Sequence, residues 1–209
     1  GFNLIFSTGK FIDMGYGVDR FYAGWFAFDS GNYYGSEHYG GCGIQRRIPY
    51  CDPKPAYASF ATMTDKLNEA NFDGWVKTGS LTTFCLRFKH ETRGNIYALW
   101  TLRGERFVTL KLGADAKAGV TDCMNNTKEV ASQDKKITIV TDPSVIYLTN
   151  AGEITSIEVG ESDNSDADPD KNAKQVADLG DGSWRYTNRR DELYENNHWG
   201  FYPAAGKFS

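Results

Sequence analysis

Nothing in this 209-residue sequence approaches the run of roughly 20 apolar residues that a membrane-spanning helix needs, so no membrane partner is expected. Basic charge is scarce. Lys and Arg total 23 against 27 Asp and Glu, a net charge of −4, which argues against a phosphate-binding surface and a nucleic-acid partner. There are only four cysteines, with no CxxC and no Cys/His pattern of metal-ligand spacing, so neither a zinc site nor any other cofactor is expected. Asp166-x-Asp168-x-Asp170 begins like a calcium loop, but Lys171 and Ala177 stand where that loop needs Gly and Glu. An acidic solvated segment is the better reading. Ser7, Ser30 and Ser36 lack a nucleophile-elbow context, and His90 and His198 are isolated.

What is abundant is aromatic. Phe, Tyr and Trp make up 14% of the residues, and hydrophobic residues 40%, enough for a core. Leu4, Ile5, Phe6, Phe11, Ile12 and Met14 give a loose helical repeat, with Gly15 and Gly17 as stop signals. Residues 19–28 are almost wholly apolar and aromatic, the composition of a strand covered on both faces. A Gly/Tyr-rich loop follows over 30–52. Within it Cys42 and Cys51, nine positions apart, predict a short disulfide. Pro55 opens a helix predicted over Ala56–Ala70, with Tyr57, Phe60, Ala61, Thr64 and Leu67 on its apolar face.

From Phe72 onward the period changes to two. Strands are predicted at Thr82–Lys89, Ile96–Thr101, Phe107–Lys111, Ile137–Thr141, Val145–Leu148 and Ile154–Val159. Turn residues such as Arg93-Gly94-Asn95 and Asn150-Ala151-Gly152 separate them, which indicates an antiparallel sandwich. Asn125-Asn126-Thr127 matches a glycosylation acceptor by pattern alone. The expected division is an opening unit over 1–70, a sandwich over 71–160, an acidic linker over 161–176 and the start of a further, truncated unit over 177–209. The ends, Gly1-Phe2-Asn3-Leu4 and Gly206-Lys207-Phe208-Ser209, are read as those of an excerpt.

The order of these pieces resembles the C-terminal portion of clan-A glycoside hydrolases. The words that carry it are Gly17-Val18-Asp19-Arg20-Phe21-Tyr22, Trp25-Phe26 and Pro53-Lys54-Pro55-Ala56-Tyr57 at the end of a barrel. Tyr97-Ala98-Leu99-Trp100-Thr101, Val120-Thr121-Asp122-Cys123-Met124-Asn125 and Pro143-Ser144-Val145-Ile146-Tyr147-Leu148 are similar to parts of the sandwich that follows the barrel. One turn departs from the family, with Asn125 where Gly is usual, a substitution that Asn tolerates at positive φ.

The resemblance implies a mainly β fold, an antiparallel β-sandwich preceded by the last helix–strand–helix of an α/β (TIM-type) barrel. It implies that the two catalytic carboxylates lie upstream of Gly1, so no catalytic residue is assigned in this chain. Trp25 is then a sugar-stacking platform or a core tryptophan. Asp29, Tyr34, Glu37 and His38 fall in the loop at the barrel mouth, where substrate contacts concentrate. The expected partners are a polysaccharide or oligosaccharide and the remainder of the parent chain, or another subunit, covering residues 1–30. Phe2, Leu4, Ile5, Phe21, Tyr22, Phe26 and Phe28 are the residues expected to need that cover. The expected location is extracellular or at the cell surface. The alternative is a non-catalytic glycan-binding or structural module.

Overall fold

A computed structural model describes residues 2–18, 28–29, 43–102, 104–162, 176–178 and 184–186, with side chains described from Gly9 onward and through Ser162. Helix α1 spans Phe2–Gly15 and α2 spans Pro55–Leu67. Nine strands follow: β1 (Ala70–Trp75), β2 (Thr83–His90), β3 (Gly94–Thr101), β4 (Arg106–Leu112), β5 (Lys117–Thr121), β6 (Thr127–Ala131), β7 (Lys136–Thr141), β8 (Ile146–Thr149) and β9 (Ile154–Ser162). They form a six-stranded sheet in the order β1-β2-β3-β8-β5-β6 and a three-stranded sheet β7-β4-β9, with every ladder antiparallel. A short pair, β10 (Val176–Asp178) with β11 (Trp184–Tyr186), lies beyond them.

Two cores explain why the strands pair as they do. Between the sheets, Cys85, Tyr97, Leu99, Val120 and Leu148 meet Val108, Leu110, Ile137, Ile139 and Ile157. On the opposite face of the six-stranded sheet, Leu86, Phe88, Ile96, Ala98, Trp100 and Tyr147 meet Phe11 and Met63 of the helices. The sheet is therefore covered on both sides. Along β3, Ile96, Ala98 and Trp100 face the helices while Tyr97 and Leu99 face the partner sheet, so every residue from Ile96 to Thr101 is buried. Phe11 fixes α1 in place, with ring centroids 6.0 Å from Phe88, 5.7 Å from Trp100 and 6.1 Å from Tyr147.

Polar ties close the ends. The Tyr97 hydroxyl donates to the Gly152 carbonyl at 3.0 Å and accepts from the Ile154 amide at 3.1 Å, joining β3 to the start of β9. At the far end of α2, Arg93 donates to the carbonyls of Asp65 and Asn68 at 3.2 and 2.7 Å, supplying a cation where the helix leaves acceptors unsatisfied. His90 orders that turn, its Nδ1 accepting from the amides of Thr92 and Arg93.

Several expectations are corrected. The predicted face of α2 is rotated: Ala56, Ser59, Thr62 and Met63 are buried, Phe60 and Leu67 are half-buried, and Tyr57, Ala61 and Thr64 are exposed. The helix approaches the sheet through small residues, which lets Met63 reach the aromatic cluster and leaves the tyrosine outside. It ends at Leu67, three residues early, because Glu69 takes a left-handed φ of 61° and Ala70 opens β1. Strands β1, β5 and β6 were not expected. Asn125 does adopt a positive φ, 67°. The strand predicted over 19–28 lies outside the described residues except for Phe28. The aromatic residues expected to need external cover likewise fall outside the described side chains, apart from Phe28, which is 42% exposed. A barrel is not seen in the described residues.

Candidate functional site

The chain just upstream of α2 is built around one buried carboxylate. Asp29 Oδ1 accepts from the Lys54 ammonium at 2.6 Å and from the Gly43 amide at 2.8 Å, and its side chain is only 1% exposed. Backbone bonds repeat the connection: the Asp29 amide donates to the Gln45 carbonyl at 3.0 Å, and the Lys54 amide donates to the Ile44 carbonyl at 2.9 Å. Phe28 forms a parallel bridge with Gln45, which in turn bridges Pro53. Three stretches far apart in sequence thus converge at the first turn of α2. Gly43 is required there, since a Cβ would stand 2.3 Å from the Phe28 carbonyl carbon.

The local sequence accounts for this start. Lys54 is extended (φ −89°, ψ 163°), the conformation that a following proline imposes, and Pro55 occupies a first-turn position where its missing amide costs nothing. A lysine in that setting is pointed back toward the preceding loop rather than along the helix. Between Gly43 and Lys54 the loop is self-supporting. Arg46 pairs with Asp52 at 2.9 Å and its guanidinium lies 4.6 Å from the Tyr50 ring centroid.

Of the residues expected at a sugar site, Asp29 alone is described, and its carboxylate is buried and ion-paired with Lys54. Trp25, Tyr34, Glu37 and His38 lie outside the described residues. The expected Cys42–Cys51 bridge is not formed, since Cys51 carries a free thiol. A spacing of nine residues fixes no geometry, whereas a disulfide needs the two Cβ atoms within about 4.5 Å. Cys51 instead sits at φ 54° in a turn, its amide directed to the Arg47 carbonyl at 3.3 Å. Cys42 lies outside the described residues. Burial pushes the Cys85 thiol far above its ordinary range. Among the described residues no cluster of three or more His, Cys, Asp or Glu could hold a metal ion.

An open groove of about 540 Å³ lies at the other end of α2, lined by Ala61, Thr64, Asp65, Asn68, His90 and Arg93. The hydrogen bonds of His90 and Arg93 just described account for it as a structural junction. The sequence reading missed Lys54 as the partner of Asp29. The available signal was a cation directly before a helix-opening proline.

The fold has a counterpart of known structure. A family 39 glycoside hydrolase from the gut symbiont Bacteroides cellulosilyticus WH2 is similar to this chain, with a TM-score of 0.50 at 17% sequence identity. The match covers 59% of this chain and 25% of that chain, so it spans a quarter of the neighbour's length. At this identity the likeness is one of fold. No family model matches the chain, and no curated protein does.

Proposed function

We propose that this chain is the C-terminal part of a secreted carbohydrate-active protein resembling glycoside hydrolases, in which it supplies an edge of the substrate cleft and a supporting sandwich. The observation that carries the reading is the Asp29–Lys54 pair at the head of α2. In an α/β barrel, the loops between a strand's end and the next helix carry the site. Phe28-Asp29 and Lys54-Pro55 bracket such a loop, and the buried pair fixes both of its ends. Trp25, Tyr34, Glu37 and His38, which lie outside the described residues, are the sugar contacts proposed in this reading. The packing of α1 and α2 on the sandwich, and the glycoside hydrolase fold neighbour, support the same reading.

Retaining glycoside hydrolysis needs two carboxyl groups about 5–5.5 Å apart. Asp29 is committed to Lys54, so in this reading the chemistry comes from carboxylates outside the chain. The test is to assay the 209-residue chain on aryl glycosides and polysaccharides beside the polypeptide as its gene encodes it. The chain alone is expected to give no turnover, and Lys54→Met in the encoded polypeptide is expected to raise KM by loosening the loop. Robust turnover by the chain alone, abolished by Glu37→Gln, would overturn the reading. A non-catalytic glycan-binding or assembly module of a surface protein is the second reading. It draws on the outer face of the three-stranded sheet, which no described element covers.

A further inference from the structure

The segment that leads into α2 is a hairpin with a bare tip. Ile44, Gln45 and Arg46 run antiparallel to Asp52, Pro53 and Lys54. The Arg46 amide donates to the Asp52 carbonyl at 2.9 Å, Gln45 bridges Pro53, and the Lys54 amide donates to the Ile44 carbonyl at 2.9 Å. The base of the hairpin is fixed, with Gly43 and Ile44 buried and Lys54 paired with Asp29. At the tip the Arg47 carbonyl accepts from the amides of Tyr50 and Cys51, at 3.1 and 3.3 Å, and closes the turn. Two large side chains stand on this turn with little cover: Ile48 is 74% exposed and Tyr50 60%. The Tyr50 ring is nevertheless held. The Arg46 guanidinium lies over it, 4.6 Å from its centroid, and Arg46 Nη1 donates to Asp52 Oδ2 at 2.9 Å. Both side chains of that ion pair are about half exposed.

From this tip we infer that Tyr50 is a stacking platform for a pyranose ring of a neutral oligosaccharide, with the Arg46–Asp52 pair beside it meeting the sugar's hydroxyls. A mostly exposed ring adds little to the fold by burial, so a cation held over it, and a carboxylate holding that cation, do not serve the core. They do favour binding, because a ring already fixed loses less freedom when a ligand settles on it. A pyranose presents apolar C–H faces rimmed by hydroxyls. The tyrosine ring suits the face, while a guanidinium that donates and a carboxylate that accepts suit the rim. Charge at the tip does not call for an anion: Arg46 is paired with Asp52, and Arg47 is half-buried with a contact of its own. A second protein chain is disfavoured by size, since one isoleucine and one tyrosine are far short of the roughly 800 Å² per partner that a stable interface buries. The inference rests on the carbohydrate-directed reading above for its class of ligand, and it places a contact within the described part of the loop that Asp29 anchors.

The test is calorimetric titration of the polypeptide as its gene encodes it with cellotetraose, xylotetraose and mannotetraose, and with tetragalacturonate as the charged counterpart. Saturable binding of at least one neutral tetrasaccharide is expected, tighter than that of tetragalacturonate and unchanged when salt screens surface charges. Tyr50→Ala is expected to weaken it about tenfold, and Tyr50→Phe, which keeps the ring, to leave it within about twofold. Because the side chain is mostly exposed, both variants are expected to keep the unfolding midpoint of the parent. The inference is overturned by no binding of the neutral tetrasaccharides, by binding that Tyr50→Ala leaves unchanged, or by a preference for the uronate. It is equally overturned by sedimentation showing that Tyr50 instead holds the chain to phosphatidylcholine vesicles or to a second copy. Turnover judges the hydrolase reading separately. A polypeptide that binds through Tyr50 and cleaves no glycoside would break that reading and leave this one standing, whereas turnover with binding and KM indifferent to Tyr50→Ala would do the reverse.

Discussion

The indole N–H of Trp75 in β1 donates to the carbonyl of Gly15, the last residue of α1, at 2.9 Å. It supplies a donor to an acceptor that the end of a helix leaves unsatisfied, and it ties α1 to the edge of the six-stranded sheet. The contact leaves no room at Gly15: a Cβ there would stand 2.2 Å from the Trp75 ring. Gly15→Ala is expected to lower stability by about 1–3 kcal/mol through overpacking, although alanine favours helix. Trp75→Ala in the same chain should relieve most of the added cost of Gly15→Ala. Urea unfolding of the two single variants and the double variant measures this coupling; additive effects would show that the two residues do not meet.

The buried face of α2 gives a second prediction. Met63→Ala is expected to cost about 2–5 kcal/mol, because it empties a place beneath the aromatic cluster. Tyr57→Ala, at a position 44% exposed, is expected to stay within about 0.5 kcal/mol. The reverse order in denaturant midpoints would restore the face that side-chain hydrophobicity alone selects.

A third prediction concerns acid. Burial pushes the Asp122 carboxyl up, but bonds from the Asn126 side chain and from the Asn126 and Met124 amides outweigh it and hold the group below its usual value. A depressed folded value contributes stability that is complete above the unfolded pKa of about 3.9 and is lost as pH falls through the lower folded value. The parent chain is therefore expected to lose stability in that acid window more steeply than Asp122→Asn does. Unfolding midpoints measured from neutral pH into the acid range check this, and parallel curves would refute it.

The thiols supply a fourth. Cys85 is buried and its thiol is held protonated, whereas Cys51 and Cys123 are half-buried. A thiol-specific chromogenic reagent is expected to modify Cys51 in the native chain and to leave Cys85 untouched until denaturant is added. Native labelling unchanged by Cys51→Ser would mean that this thiol is not accessible.

Much of the sandwich was legible because its strands announce themselves twice, by β-branched or aromatic composition and by the turn residues between them. Strands β2, β3, β4, β7, β8 and β9 all have both marks. The strands that escaped carry these marks only weakly. In β1, Ala-Asn-Phe-Asp-Gly-Trp is poor in strand formers, and its ladder slips between Phe72 and Gly74. In β5, Lys-Ala-Gly-Val-Thr shows no alternation because four consecutive residues are buried between neighbouring strands. In β6, Thr-Lys-Glu-Val-Ala is an exposed edge whose charges read as loop. The candidate site was less legible. The residue type of Asp29 and its place in a loop pointed outward to substrate, and only the fold reveals that Lys54, 25 residues away, claims it.

Because the six-stranded sheet is clad on both faces, the helices and the sandwich have no seam at which to be parted. A cut near residue 70, where the sequence period changes, would expose Leu86, Phe88, Ile96 and Trp100 together, an apolar patch that invites association. The same cladding leaves no hinge between α2 and the sheets. The Asp29–Lys54 pair sits at the head of α2 and so shares this frame, and whatever loosens the packing of α2 on the sheet is expected to loosen the pair with it.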